Sequence, residues 1–280
     1  MRSSELFLSA CLKVSYRNKP AVLRNVFLQM RRGEILGLVG QSGSGKSTLA
    51  LAIMRLLELK GAKAEGSVFF QGDDLMRLGE RELRGIRGRD IALVLQSPLS
   101  SLNPALRIRT QLAEAWRAHA RGPKRDCRQA IQEALSSVSL PIGDEFLGRY
   151  PSQLSVGQAQ RVLIAMAILH RPALLIADEA TSALDVITQA EVLSLFAKLN
   201  REMNMAVLYI SHDLLSVASI CNRIAILHEG EIVECGSTAQ IFNRPQHPYT
   251  QRLIEALPER PSVPAPVPDR LWNNDLLPVQ

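Results

Sequence analysis

Ile35-Leu36-Gly37-Leu38-Val39-Gly40-Gln41-Ser42-Gly43-Ser44-Gly45-Lys46-Ser47-Thr48 is an apolar run of strand length that breaks into glycines and opens a helical pattern. Order matters here more than composition. Gly40, four residues, then Gly45-Lys46-Ser47, set between a strand and a helix, is the arrangement in which backbone amides converge on phosphate. The glycines let the chain curl closely around an anion, and the helix N-terminus adds its positive end. Lys46 is placed to reach the β- and γ-phosphates, and Ser47 to offer its hydroxyl to Mg2+. The expected nucleotide contacts from this stretch are Gly40, Ser42, Gly43, Ser44, Gly45, Lys46, Ser47 and Thr48.

A phosphate loop needs an acidic partner to do chemistry. Leu174-Leu175-Ile176-Ala177-Asp178-Glu179 supplies one. Four apolar residues form a buried strand, and the acids emerge at its C-terminal end, where ligands sit in open α/β sheets. Asp178 is expected to hold Mg2+ through water. Glu179, one residue on, is expected to act as the general base on an attacking water.

Further apolar runs lie at Ser67–Phe70, Ile91–Leu95, Ala206–Ile210, Ile224–Leu227 and Ile232–Val233. Near-continuous apolar runs predict strands buried on both faces of a mostly parallel sheet. Helical patterns at Ser47–Leu59 and Val186–Met203 alternate with them, which predicts an α/β fold. From Thr110 to about Leu140 no strand-like run occurs. Two amphipathic helices are predicted there, Ala113–Ala120 and Arg125–Val138, as a helical insertion. Prolines crowd the end, and the last 20 or so residues are expected to be extended or disordered.

Composition sets the outer bounds. The chain has 280 residues, 46% of them hydrophobic, enough for a large core. No run approaches the roughly 18 apolar residues of a membrane span. Met1-Arg2-Ser3-Ser4-Glu5 does not read as a signal peptide, so a soluble intracellular chain is expected. The net charge of +6 is dispersed, and the stretch Arg77–Arg89 reads as a solvated face. Cys11, Cys127, Cys221 and Cys235 show no paired metal spacing and are expected to be free thiols.

Shorter motifs narrow the reading. Leu154-Ser155-Val156-Gly157-Gln158 stands before a helix, upstream of the acidic strand. Ser182-Ala183-Leu184-Asp185 follows Glu179. Ser211-His212-Asp213 follows the strand ending at Ile210, Gln96 ends another, and Tyr16 precedes Gly40. In this order they resemble the ATP-hydrolysing subunits of ABC transporters, over about residues 5 to 258. The resemblance implies a P-loop NTPase core of RecA-like type with a mostly parallel sheet, an N-terminal antiparallel β subdomain and an inserted helical subdomain. It divides the chain into 1–96 (first part of the core, with the β subdomain and phosphate loop), 97–164 (helical subdomain ending in the signature), 165–235 (second part of the core) and 236–280 (C-terminal extension with proline-rich tail).

Roles follow from the same resemblance. Tyr16 stacks on adenine. Gln96 senses the γ-phosphate and joins Ser47 and Asp178 around Mg2+. His212 holds the γ-phosphate, and Lys46, Glu179, Gln96 and His212 form the catalytic set. Such subunits pair head to tail, identical or not, so Ser155, Gly157, Gln158 and Asp185 are expected to serve the nucleotide of a second ATPase subunit. ATP and Mg2+ are the implied cofactors. Two integral-membrane permeases are the implied partners, with a separate substrate-binding protein acting indirectly, no nucleic acid, and a place on the cytoplasmic face of the inner membrane.

Gln96-Ser97-Pro98-Leu99-Ser100-Ser101-Leu102-Asn103-Pro104 and Ile241-Phe242-Asn243-Arg244-Pro245-Gln246-His247-Pro248-Tyr249-Thr250 are similar to the oligopeptide/dipeptide/nickel importers within that family. This implies uptake of peptides, with nickel or another chelated metal as the alternative cargo. His247 reads as structural. With no cysteine after Cys235, the iron–sulfur cluster of some relatives is not expected. A soluble ABC-type ATPase acting on nucleic acid is the competing class, but the chain between Ser47 and Ser155 is too short for a long coiled coil. A nucleotide kinase would need neither the signature nor His212. One position departs from the family pattern: Val156 replaces the first glycine of the signature. A β-branched residue there restricts the backbone and adds bulk; the two readings are tolerated variation and slow turnover at the composite site this signature serves.

Overall fold

The computed structural model describes residues 6–16, 19–58 and 61–257. The chain opens with β1 (Leu6–Tyr16) and β2 (Lys19–Arg31), followed by β3 (Ile35–Val39), α1 (Lys46–Ile53), β4 (Ala62–Phe70) and β5 (Asp73–Asp74). Next come α2 (Glu80–Ile86), β6 (Ile91–Val94), α3 (Pro98–Ser101), α4 (Ile108–Arg117), α5 (Lys124–Ser137) and α6 (Asp144–Leu147). Then α7 (Val156–Ile168), β7 (Leu174–Asp178), α8 (Val186–Met203), β8 (Ala206–Ser211) and α9 (Leu214–Ile220) alternate. The end is β9 (Arg223–His228), β10 (Glu231–Ser237), α10 (Thr238–Asn243) and α11 (Pro248–Glu255).

Two sheets result. A four-stranded antiparallel sheet has the order β2-β1-β4-β5, and a six-stranded sheet has the order β10-β9-β3-β8-β7-β6. In the second, β9, β3, β8, β7 and β6 run parallel, and β10 returns antiparallel at the edge. The central strands β3, β7 and β8 are buried at every position because both faces are covered. Leu174, Ile176, Leu208 and Ile210 turn to a core shared with α1 and the antiparallel sheet. Leu175, Ala177, Val207 and Tyr209 turn to a second core shared with α7, α8 and the helical segment. Each buried leucine or isoleucine contributes about 1.5–3 kcal/mol, and the period of two in a strand distributes them to both sides. The strand ends, with their loops, are what this double core holds in place.

Three helices that follow motif loops, α7, α8 and α9, are capped by side chains. Ser155 Oγ accepts from Gln158 N at 3.1 Å, while Gln158 Oε1 accepts from Ser155 N at 3.2 Å, a reciprocal capping box on α7. Asp185 Oδ1 accepts from Ile187 N and Thr188 N to open α8, and Asp213 Oδ1 accepts from Leu215 N to open α9. Such caps are worth about 1 kcal/mol each, and they pin the loops that precede the helices.

Several expectations need correction. Ser67–Phe70 belongs to the antiparallel sheet, not to the parallel one. There one face meets water, so Val68 and Phe70 are buried while Phe69 is 44% exposed. The helix expected over Ser47–Leu59 stops at Ile53, because Arg55 takes a left-handed φ of 51° and turns the chain. Leu59 itself lies outside the described residues. The helix expected at Ala113–Ala120 starts earlier, at Ile108, and ends at Arg117. Arg77–Arg89 is not simply a solvated face. The Arg87 guanidinium donates to the carbonyls of Met54 and Arg55, each at 2.7 Å, and so ties α2 beneath α1. The four cysteines are free. The proline-crowded tail lies outside the described residues.

Candidate active site

The loop after β3 is shaped by two glycines with distinct constraints. Gly45 caps α1 with φ 108°, a left-handed conformation that glycine reaches without cost. Gly40 meets the strand beside it: a Cβ there would stand 2.2 Å from the Leu227 carbonyl oxygen. Within this curl Lys46 is 5% exposed. Its Nζ donates to Gly40 O at 2.7 Å and to Gln41 O at 3.0 Å. Burial lowers its pKa below the usual lysine value, and the charges of Glu179 and Asp178 partly offset this.

Asp178 ends β7 and is buried. Glu179 follows with φ 49°, in the left-handed region that costs a non-glycine residue about 1 kcal/mol or more. Its backbone amide donates to Ile210 O at 2.9 Å, which ties the turn to β8. The strained turn sends the carboxylate between the Lys46 ammonium and the His212 imidazole. Glu179 Oε1 lies 3.8 Å from Lys46 Nζ, and Glu179 Oε2 lies 3.4 Å from His212 Nδ1. Lys46, Glu179 and His212 thus form one connected row.

A cavity of about 510 Å³ opens over this row. Of the residues singled out in the sequence, Tyr16, Ser42, Gly43, Gly45, Lys46, Ser47, Thr48, Gln96 and Glu179 line it. Gly40, Ser44, Asp178 and His212 are not on its wall: Gly40, Ser44 and Asp178 are buried, and exposed His212 reaches the site through Glu179. Val22 of β2 lines it as well and was missed. Its signal was weak, a single apolar residue in a strand not singled out. The oxygens near the acidic end are a Ser47 hydroxyl, a Gln96 amide and the Asp178 carboxylate. This hard-oxygen set suits Mg2+.

The signature residues are elsewhere. Ser155 and Asp185 are exposed, Gly157 and Gln158 half-buried, and none of the four lines the cavity. They do lie together. A Cβ on Gly157 would come within 2.7 Å of Thr188 Cγ2, so the N-termini of α7 and α8 touch. Val156 is exposed beside them as the first residue of α7. Val186 and Ile187, also missed, are 81% and 74% exposed on the same surface. Two adjacent bare apolar side chains next to polar helix caps are the composition of a contact surface.

The sequence profile of the ABC transporter family matches residues 23–182. A second profile, described as oligopeptide/dipeptide transporter, C-terminal region, matches residues 233–267. The chain is 46% identical over 243 residues to the glutathione import ATP-binding protein GsiA of Salmonella choleraesuis (strain SC-B67), covering 85% of this chain and 39% of that protein. It is 43% identical over 249 residues to the protein of the same name in Escherichia coli O157:H7, covering 87% and 40%. The chain therefore spans about two fifths of the length of these curated relatives. Among solved structures, the dimeric post-hydrolysis state of the ATP-binding cassette MJ0796 bound to ADP and Pi superimposes with a TM-score of 0.72 at 31% identity, covering 83% of this chain and 98% of that one. The cbiO1 structure from Clostridium perfringens, part of the complex cbiONQ, superimposes with a TM-score of 0.74 at 23% identity over 91% and 96%, a likeness of fold.

Proposed function

Because this chain belongs to the ABC transporter family, and is an ATPase by that membership, we propose that it is the ATP-hydrolysing subunit of an importer for peptides. One observation above all supports the reading. The phosphate loop and Glu179 line the cavity, while Ser155, Gly157, Gln158 and Asp185 of the same chain do not, so each chain presents half of two different sites. A head-to-tail pair joins the halves. In that pair Ser155, Gly157 and Gln158 of one chain, with the N-terminus of α7, meet the phosphate held by Lys46 of the other, and Asp185 and the apolar Val186 and Ile187 line the seam.

Within one site the roles divide by geometry. Lys46 and the amides opening α1 bind the β- and γ-phosphates. The lysine is already oriented by two carbonyls, so little reorganisation is needed when phosphate arrives. Tyr16, on the cavity wall, takes the adenine. Glu179 accepts the proton of the attacking water. His212, held at Nδ1 by the base, contacts the γ-phosphate, and Gln96 reports its presence to the segment Ser97–Pro104. Ser47, Gln96 and Asp178 would hold Mg2+, which when bound neutralises charge on the phosphates.

Closure on ATP and reopening after hydrolysis move the membrane partners between access states. No helix among the described residues is long and apolar enough to cross a membrane, so the spanning parts belong to permeases, with this chain on their cytoplasmic side. The C-terminal profile and the relatives favour peptide over the nickel alternative, since glutathione is itself a tripeptide. Affinity purification of the chain from detergent-solubilised membranes tests the proposal. Permeases that raise its ATPase rate are expected to co-purify. Recovery of nucleic acid with no membrane protein overturns the reading.

Val156 bears on the partner's site. Its β-branched side chain stands exposed at the surface that the partner nucleotide approaches. Val156→Gly is expected to raise turnover of the assembled transporter about twofold, by restoring a second working site. Equal ATPase and transport rates in the two proteins show that the valine is tolerated.

A further inference from the structure

The phosphate loop is held from outside the segment that carries its motifs. Gln41 N donates to the Tyr249 hydroxyl at 3.3 Å, across 208 positions of sequence. Tyr249 is 4% exposed and sits in the first turn of α11, within the residues matched by the C-terminal profile. Its ring stacks on the His228 imidazole, with centroids 3.7 Å apart and planes 16° from parallel. His228 ends β9, one residue after the Leu227 carbonyl that crowds Gly40. Gly40 and Gln41 therefore rest on a floor made by β9 and α11.

That floor is itself braced. The Glu234 carboxylate accepts from Gln246 N at 2.8 Å and from His247 N at 3.0 Å. His247 Nδ1 then accepts from Tyr249 N at 3.2 Å. Two backbone amides fixed on one carboxylate leave the turn little freedom to shift. The peptide unit joining Gly40 to Gln41 is the point of contact. Its carbonyl accepts from Lys46 Nζ at 2.7 Å, and its N–H donates to Tyr249. A planar peptide bonded at both ends resists rotation. Tyr249 thereby sets the direction of the carbonyl that orients Lys46.

The geometry assigns Tyr249 as a positioning residue for nucleotide binding, through which the C-terminal segment sets the affinity of the phosphate loop. The inference rests on the reading of Lys46 as the phosphate ligand. Tyr249→Phe keeps the ring and its stack and removes only the hydroxyl. In full-length protein, dissociation constants for fluorescent methylanthraniloyl-ADP and -ATP are expected to rise about fivefold, the factor for one hydrogen bond of ordinary strength. In the assembled transporter KM for ATP is expected to rise similarly with kcat within about twofold, because Glu179 is untouched. Thr250→Val is the matched control: the adjacent hydroxyl is fully buried and has no partner among the described residues, so affinity is expected to stay at the wild-type value.

Native affinity in Tyr249→Phe, at whatever melting temperature, overturns the inference, and so does equal weakening in both variants. Should Tyr249→Phe fail to fold, Glu234→Gln removes one of the two acceptors bracing the turn and is expected to weaken binding about twofold; unchanged binding there overturns the inference. Lys46→Met separates the two levels. If it keeps wild-type affinity, the nucleotide reading falls and the inference with it. If it loses affinity and Tyr249→Phe does not, the inference alone falls.

Discussion

Glu179→Gln is expected to reduce ATP hydrolysis by about two to four orders of magnitude, the range for removing a positioned general base, while ATP binding stays near the wild-type level. The substitution is nearly isosteric. The amide oxygen can still face Lys46 while the amide NH2 takes the place beside His212, but the neutral amide cannot take a proton from water. The turn that carries the residue is unusually constrained: φ is 49° and the amide is bonded to β8. The side chain therefore has few other places to go, and the effect isolates proton acceptance from geometry. Loss of the charge also removes the ion pair at 3.8 Å from Lys46, leaving the ammonium free for phosphate. ATP-bound pairs that cannot hydrolyse should accumulate, visible as an ATP-dependent shift to dimer in size-exclusion chromatography. Turnover within a factor of two of wild type, with no trapped dimer, would refute the assignment of Glu179 as base.

The sequence made the centre of the fold legible and its edges less so, for a physical reason. Strands β3, β7 and β8 are buried at every position because both faces are covered, and their apolar runs stand out without any partner being known. The phosphate loop and the acids follow those runs, so they were placed with them. The antiparallel strands carry half the signal, since one face meets water. Leu8, Ala10, Leu12 and Val14 alternate with Ser9, Cys11 and Lys13, a period of two that predicts β1 once it is counted. Val26, Leu28 and Met30 repeat it in β2. Helix α11 was hidden differently: prolines on either side of it suggested a breaking chain, yet Pro248 occupies the first helical turn, where proline is favoured. What no local pattern could carry is proximity. Gln41 and Tyr249 meet only because β9 and α11 return beneath the loop, and Val186 and Ile187 mark a surface only once the N-termini of α7 and α8 come together.

Lys46→Met should weaken nucleotide binding about a hundredfold and abolish measurable turnover. Charge-assisted contacts expected from the ammonium to two phosphates are together worth about 3 kcal/mol, and each 1.4 kcal/mol is a factor of ten. Methionine fills a similar volume, so the loop keeps its packing and the loss reports on charge. A second signature belongs to the nucleotide-free protein. Burial lowers the Lys46 pKa, with Glu179 and Asp178 pulling the other way, while the unfolded chain keeps the ordinary value of 10.5. Between those two values the unfolded state holds more protons than the folded one, so the contribution of this residue to stability rises with pH. Below the lowered value both states are charged, and the cost of the buried ammonium is carried in full. In Lys46→Met nothing titrates at this position. The stability of wild type relative to Lys46→Met is therefore expected to increase as pH rises toward 10.5, measured by urea denaturation at a series of alkaline pH values without nucleotide. A flat or falling difference would mean that the ammonium is better solvated than its place between Gly40, Gln41 and Glu179 implies. A lysine carrying that cost in the empty site has the more to gain when phosphate replaces water as its partner.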